Sequence, residues 1–179
     1  MTKETGLVIL HTGNGKGKTT AALGLALRAW GGGAKVLVLQ FIKGGQTSGE
    51  LTALERLAAL DAPGKIELRQ LGLGFSQKGD DHAPHKEAAR TALVAAKEAL
   101  DGTWDMVVLD EILYAVKFGL IEQKDVEELI KSRSPEVHVV LTGRGASPEL
   151  IGLADLVTEM GEIKHPYAQG IKARRWIEF

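Results

Sequence analysis

The run Gly13-Asn14-Gly15-Lys16-Gly17-Lys18-Thr19-Thr20 sets three glycines, two lysines and two hydroxyls side by side. That combination suits a polyanion. Glycines let successive backbone N–H groups turn inward around phosphate oxygens, a helix starting at Lys18 adds its positive dipole end, and the Lys18 ammonium can reach a terminal phosphate. Thr19 would then place its hydroxyl on Mg2+. The strict pattern G-x-x-x-x-G-K-[ST] has glycine where this chain has Thr12, with Gly13 one place later, so the loop is a variant. The competing reading is a glycine-rich turn that is merely tight.

Carboxylates and cations recur at other candidate strand ends. Asp110 and Glu111 close the run MVVLD-E. In open α/β sheets ligands bind beyond the carboxyl ends of strands, so this pair should face the loop. Asp110 is expected as the metal-side carboxylate, acting directly or through water, and Glu111 as a contact to metal, ribose or base. An acidic pair ahead of a helix is otherwise a cap. Arg144, in Thr142-Gly143-Arg144-Gly145, meets a phosphate or ribose or else is a solvated residue where a helix begins, and Lys43 carries the same ambiguity. Asp80, Asp81, His82 and His85 have metal-ligand chemistry, yet two acids and two histidines ahead of a helix read better as caps and solvated charge. His138, inside VHVVL, reads as a strand residue with a hydrogen-bonded ring. Lys124, Glu127, Glu128 and Lys131 read as a solvent-facing helix stripe.

Positioning those groups takes strands and helices in alternation. Strands are expected at 7–11, 35–41, 66–71, 106–110 and 137–142, with one or two more from 156–160 and 171–179. KVLVLQF and MVVLD are too uniformly apolar for half-exposed strands, which predicts a parallel sheet buried on both faces. Helices are expected at 18–30, with Leu23, Leu27 and Trp30 on one side, at 48–60, with an apolar face of Leu51, Leu54, Leu57 and Ala58, and at 85–100. The piece 72–84 is the longest irregular stretch. The pattern is α/β: an open, mostly parallel sheet with right-handed crossovers and helices on both faces, in one domain over 1–179.

Composition bounds what this fold can do. The chain has 179 residues, 44% hydrophobic and 25% charged, which excludes a disordered chain, a collagen or a coiled-coil rod. Lys plus Arg (22) nearly balances Asp plus Glu (23), and aromatics are 5%, so neither a basic groove nor a stacking platform for nucleic acid is expected. There is no cysteine, which excludes disulfides, thiolate catalysis and Cys-ligated metals. No apolar run reaches the ~18 residues of a membrane span and the start has no signal-peptide pattern, so the expectation is a cytoplasmic protein with no membrane partner.

The segments HTGNGKGKTTAALGLALRA, VLVLQFIKG, LGLGF, VVLDEI, VLTGR, ADLVTEM and IKHPYAQGIKA, in that order and over nearly the whole chain, closely resemble the ATP:corrinoid adenosyltransferases of the P-loop type. The resemblance implies a RecA-like P-loop fold, a homodimer, and transfer of the 5′-deoxyadenosyl group of ATP to cobalt in the Co(I) state with release of triphosphate, in adenosylcobalamin biosynthesis or salvage. It implies ATP lying in reversed orientation, so that Asn14, Gly15, Lys16, Gly17, Lys18, Thr19 and Thr20 hold the departing triphosphate and the corrinoid sits over the ribose. An electron donor such as a reduced flavoprotein is an implied partner. Phe75 matches an aromatic that presses on the lower corrin face or else is a lone apolar anchor pinning a loop, while Gln77 stands where relatives carry a Trp. Arg175-Trp176-Ile177 stands where a Gly commonly precedes the Ile, and Trp176 is expected on the sheet edge. His165, in KHPY, is a corrinoid or dimer contact or a plain turn residue. The chain's start is short beside members with a leading helix that covers the partner's site. Since Co(I) is itself a strong nucleophile, no Ser, Cys or His nucleophile is required, only position, dehydration and charge stabilisation. The alternatives are another P-loop small-molecule kinase or a RecA-like ATPase.

Overall fold

The computed structural model describes residues 4–45, 47–74 and 82–177. In chain order these form β1 (Val8–Thr12), α1 (Lys18–Gly31), β2 (Lys35–Gln40), α2 (Gly49–Ala58), β3 (Lys65–Gln70), α3 (Ala83–Ala99), β4 (Met106–Asp110), α4 (Ile112–Lys117), α5 (Gln123–Ser132), β5 (His138–Thr142), α6 (Pro148–Leu153) and β6 (Leu156–Glu159). The six strands make one sheet in the order β3-β2-β4-β5-β1-β6, every pairing parallel. This is the α/β architecture the alternation predicts.

Alternate residues of the same strands feed two apolar layers, as strand geometry requires. Leu37, Leu39, Val107, Leu109, Val139 and Leu141 pack with α3 and α5 on one face. Val36, Val38, Ile66, Val108 and Val140 pack with α1 and α2 on the other. Both faces are thus covered, which accounts for the uninterrupted apolar runs.

Three details depart from the expectations. The buried side of α1 is Ala22 and Ala26 rather than a leucine stripe, and Leu27 is 49% exposed. Small residues let the helix lie close to the sheet, which brings its first turn against the strand ends. On α2 only Leu54 is fully buried, and Ala58 is exposed. Residues 171–177 form no strand: Ile177 N closes a turn onto Arg174 O at 3.2 Å, and Trp176 takes φ 68°. A left-handed residue at Trp176 breaks an extended run. Trp176 is 84% exposed rather than packed on the sheet edge.

Candidate functional site

β1 runs one residue beyond its expected end, and that explains the variant loop. Thr12 is the buried last residue of the strand, and its Oγ1 accepts from Ala146 N at 3.3 Å. Gly13 takes over the turn at φ 93°. The loop then leans on the chain leaving β6: Gly15 N donates to Met160 O at 2.7 Å, and Met160 N to Thr12 O at 2.9 Å. A Cβ on Gly15 would lie 2.6 Å from Gly161 O, so only glycine permits this approach. Gly17 ends the loop at φ 112° and α1 begins at Lys18.

Lys18 is buried and held inside its own loop, Nζ donating to Gly13 O at 2.8 Å and Gly15 O at 2.6 Å. Burial, then the positive charges of Arg144 and Lys16, push its pKa down, with Glu111 opposing. Arg144 follows β5, and its Nε is buried with no protein partner. Two cations are therefore brought together at one place and partly stripped of water.

Both line a single cleft of about 700 Å3, together with Gly15, Lys16, Gly17, Thr19 and Thr20 of the loop and first turn, and Glu111. Asn14 and Gly13 belong to the same loop; Asn14 is exposed and Gly13 buried. Tyr114 adds an aromatic wall, stacked on Phe118 with ring centroids 5.8 Å apart. Opposite stand Lys43 and Glu50, paired Nζ to Oε1 at 2.5 Å. Burial works against both charges, but the hydrogen bond and the opposite charge outweigh it, so Lys43 is held above and Glu50 below its ordinary pKa.

Asp110 lies under the loop, wholly buried. Its Oδ1 accepts from Thr19 Oγ1 and Thr142 Oγ1, each at 2.8 Å, and its Oδ2 from Gln40 Nε2 at 3.0 Å. It meets the cleft through Thr19. Glu111 follows in a left-handed conformation at φ 62°, its N–H donating to Thr142 Oγ1 at 2.8 Å. Its Oε2 is buried without a partner, and burial first, then the charge of Asp110, pushes its carboxyl up to about 7.

The structure therefore gathers the glycine-rich loop 13–20, Asp110, Glu111, Arg144 and Lys43 at the carboxyl ends of the strands. His165 does two things: its Nδ1 accepts from Tyr167 N at 3.2 Å, the turn reading, and it also lines the cleft beside Trp176. His138 has the bonded ring expected of it, Nδ1 accepting from Leu7 N at 3.1 Å. Phe75, Gln77, Asp80 and Asp81 lie outside the described residues. Among the described residues no three His, Cys, Asp or Glu side chains are grouped to hold a metal ion, and no helix is long and apolar enough to cross a membrane. Gln40, Gln70, Thr142 and Tyr114 were not singled out by sequence reasoning. The one available signal was Gln40, an amide closing an otherwise apolar strand.

The family model of ATP:corrinoid adenosyltransferase BtuR/CobO/CobP matches residues 4–179. The chain belongs to this family. It is 41% identical over 177 residues to the corrinoid adenosyltransferase of Pseudomonas aeruginosa, covering 98% of this chain and 85% of that one. Against the corrinoid adenosyltransferase of Sinorhizobium sp. the identity is 42% over 180 residues, 99% of this chain and 82% of the other. Against that of Escherichia coli K12 it is 38% over 177 residues, 98% and 87%. The family is one of transferases whose substrates are ATP and a corrinoid, and neither the kinase nor the ATPase alternative gains support.

Proposed function

We propose that this chain transfers the 5′-deoxyadenosyl group of ATP to the Co(I) centre of a reduced corrinoid and releases intact triphosphate. The observation that carries the reading is the convergence of desolvated Lys18, Arg144 and the glycine loop on one cleft. Two cations and a row of N–H groups there suit a polyanion. In the reaction the cobalt electron pair forms the Co–C5′ bond while the C5′–O bond breaks, its electrons leaving on the triphosphate. Lys18, Arg144 and the loop from Gly13 to Thr20 hold the phosphates and take up the charge that develops on the bridging oxygen. One such donor contributes ~3–4 kcal/mol to the transition state.

A divalent cation fits the oxygens present: the Thr19 hydroxyl and the orphaned Glu111 Oε2 are hard donors of the kind Mg2+ takes. These two would hold it alongside phosphate oxygens, with Asp110 acting through Thr19. Bound there, Mg2+ neutralises phosphate charge. Phe75, Tyr114 and His165 are assigned to the corrinoid and adenosine side. We take the working form to be a cytoplasmic homodimer supplied with electrons by a donor such as a reduced flavoprotein. The edge of β6, which no described residue pairs, and the exposed Ile163, Tyr167, Trp176 and Ile177 support the dimer.

Incubation with ATP, Mg2+ and chemically reduced cobalamin tests the reading. Adenosylcobalamin and triphosphate are expected in equal amounts, and Lys18→Ala should lower turnover at least about 100-fold with the melting temperature kept. ADP as the stoichiometric product would overturn it.

A further inference from the structure

Gln40 and Gln70 are polar side chains that neither core packing nor the phosphate loop explains. Gln40 ends β2, wholly buried, in register with Asp110 of β4 on one side and Gln70 of β3 on the other. An amide taken out of water needs partners, and here each atom has one. Oε1 accepts from Gln70 Nε2 at 3.2 Å and Nε2 donates to Asp110 Oδ2 at 3.0 Å. The orientation follows from the partners, because the reverse would set the amide oxygen against the Asp110 carboxylate.

The chain of bonds continues beyond Asp110. With Oδ2 occupied by Gln40, Oδ1 collects the hydroxyls of Thr19 and Thr142, and Thr142 Oγ1 in turn accepts from the Glu111 N–H. A carboxylate with three fixed donors cannot rotate without breaking them. The Thr19 hydrogen is thereby committed to Asp110, which leaves the Thr19 lone pairs for the cleft. We infer that Gln40, backed by Gln70, is a positioning residue that locks Asp110 and so aims the Thr19 hydroxyl at the cation of Mg-ATP. The inference rests on the proposed Mg-ATP site and adds to it two residues from outside the loop.

Titrating ATP binding against Mg2+ by calorimetry, with no corrinoid present, tests it. Gln40→Leu is expected to raise the Mg2+ concentration for half-maximal tight ATP binding about tenfold, the usual scale for losing an outer-shell partner. ATP affinity in EDTA should stay within about twofold. In a Thr19→Ala background Gln40→Leu should add nothing to the Mg2+ requirement. Should Gln40→Leu fail to fold, the half-exposed Gln70→Leu decides, with a shift of roughly threefold in the same direction expected from its more distant place in the chain. A folded variant with the wild-type Mg2+ midpoint, or with equal losses in Mg2+ and in EDTA, overturns the inference and leaves the adenosyl-transfer reading standing. Wild-type ATP binding that ignores Mg2+ would overturn the cation site itself and this inference with it. The cobalamin assay stays independent of both.

Discussion

Glu111 carries two local penalties that packing does not explain: a left-handed backbone at φ 62° and a buried carboxyl oxygen without a partner. Strain of this kind persists where function holds it. Burial, and next the charge of Asp110, raise the carboxyl from its ordinary 4.5 to about 7. The folded protein therefore keeps this proton to higher pH than the unfolded chain does. The contribution to stability is whole below pH 4.5 and is lost as pH rises toward 7. Glu111→Gln, which keeps the backbone and removes the charge, should make the nucleotide-free protein more stable by an amount that grows across that window. Above it the gain levels at on the order of 3 kcal/mol. Thermal melts from pH 4 to 8 check this, and a gain independent of pH would contradict it. Legibility at this scale followed sequence distance. Lys18 and Thr19 were readable because a loop of consecutive residues makes their cradle, and Asp110 because it ends an apolar run. Gln40, Gln70 and Thr142 were not, because their bonds join residues 70, 30 and 32 positions apart and exist only once β2, β3, β4 and β5 are in register.

The strands were legible for a plain reason: both faces of the sheet are covered, so the apolar runs are unbroken and bounded by turns. The helix faces were less so. Period alone marks Leu27 as inward, while the close approach of α1 selects Ala22 and Ala26. Of the one or two further strands expected from 156–160 and 171–179, the first forms as β6, while described residues 171–177 form none, because alternation says nothing about a partner. The loop glycines also depend on a distant element. Gly15 carries no unusual φ, so its requirement is the carbonyls of Met160 and Gly161, at 2.8 and 2.6 Å from a would-be Cβ. Gly15→Ala should push the loop off the end of β6 and displace its N–H groups from the phosphates. A misplacement of about 1 Å lowers kcat/KM by ~100-fold. ATP affinity should fall in parallel while the melting temperature changes little. Wild-type ATP affinity in this variant would show that contact with 160–161 does not shape the cradle.

At the scale of the whole molecule, the sheet order puts the loops after β1, β2, β4 and β5 at one edge. It also leaves β6 as an edge strand with Leu156 and Val157 partly exposed. The segment beyond it turns Ile163, Tyr167 and Trp176 almost wholly outward, and Trp176 and His165 reach the mouth of the cleft. Among the described residues nothing pairs with the outer edge of β6, and an open strand edge beside so much apolar surface is a common docking surface. If a second copy covers it, association and corrinoid transfer should fail together while nucleotide binding, which rests on the loop and the sheet, survives. The double substitution Ile163→Glu with Tyr167→Glu places charge where that contact would form. On that reading, sedimentation at micromolar concentration should find a dimer for the unaltered chain and a monomer for the double variant. Mg-ATP affinity should stay within about twofold, and adenosylation of reduced cobalamin should fall tenfold or more, roughly the penalty for burying unpaired charge at an interface. A double variant that still sediments as a dimer would place the interface elsewhere. A monomer with full transfer would mean that the cleft is complete within one chain.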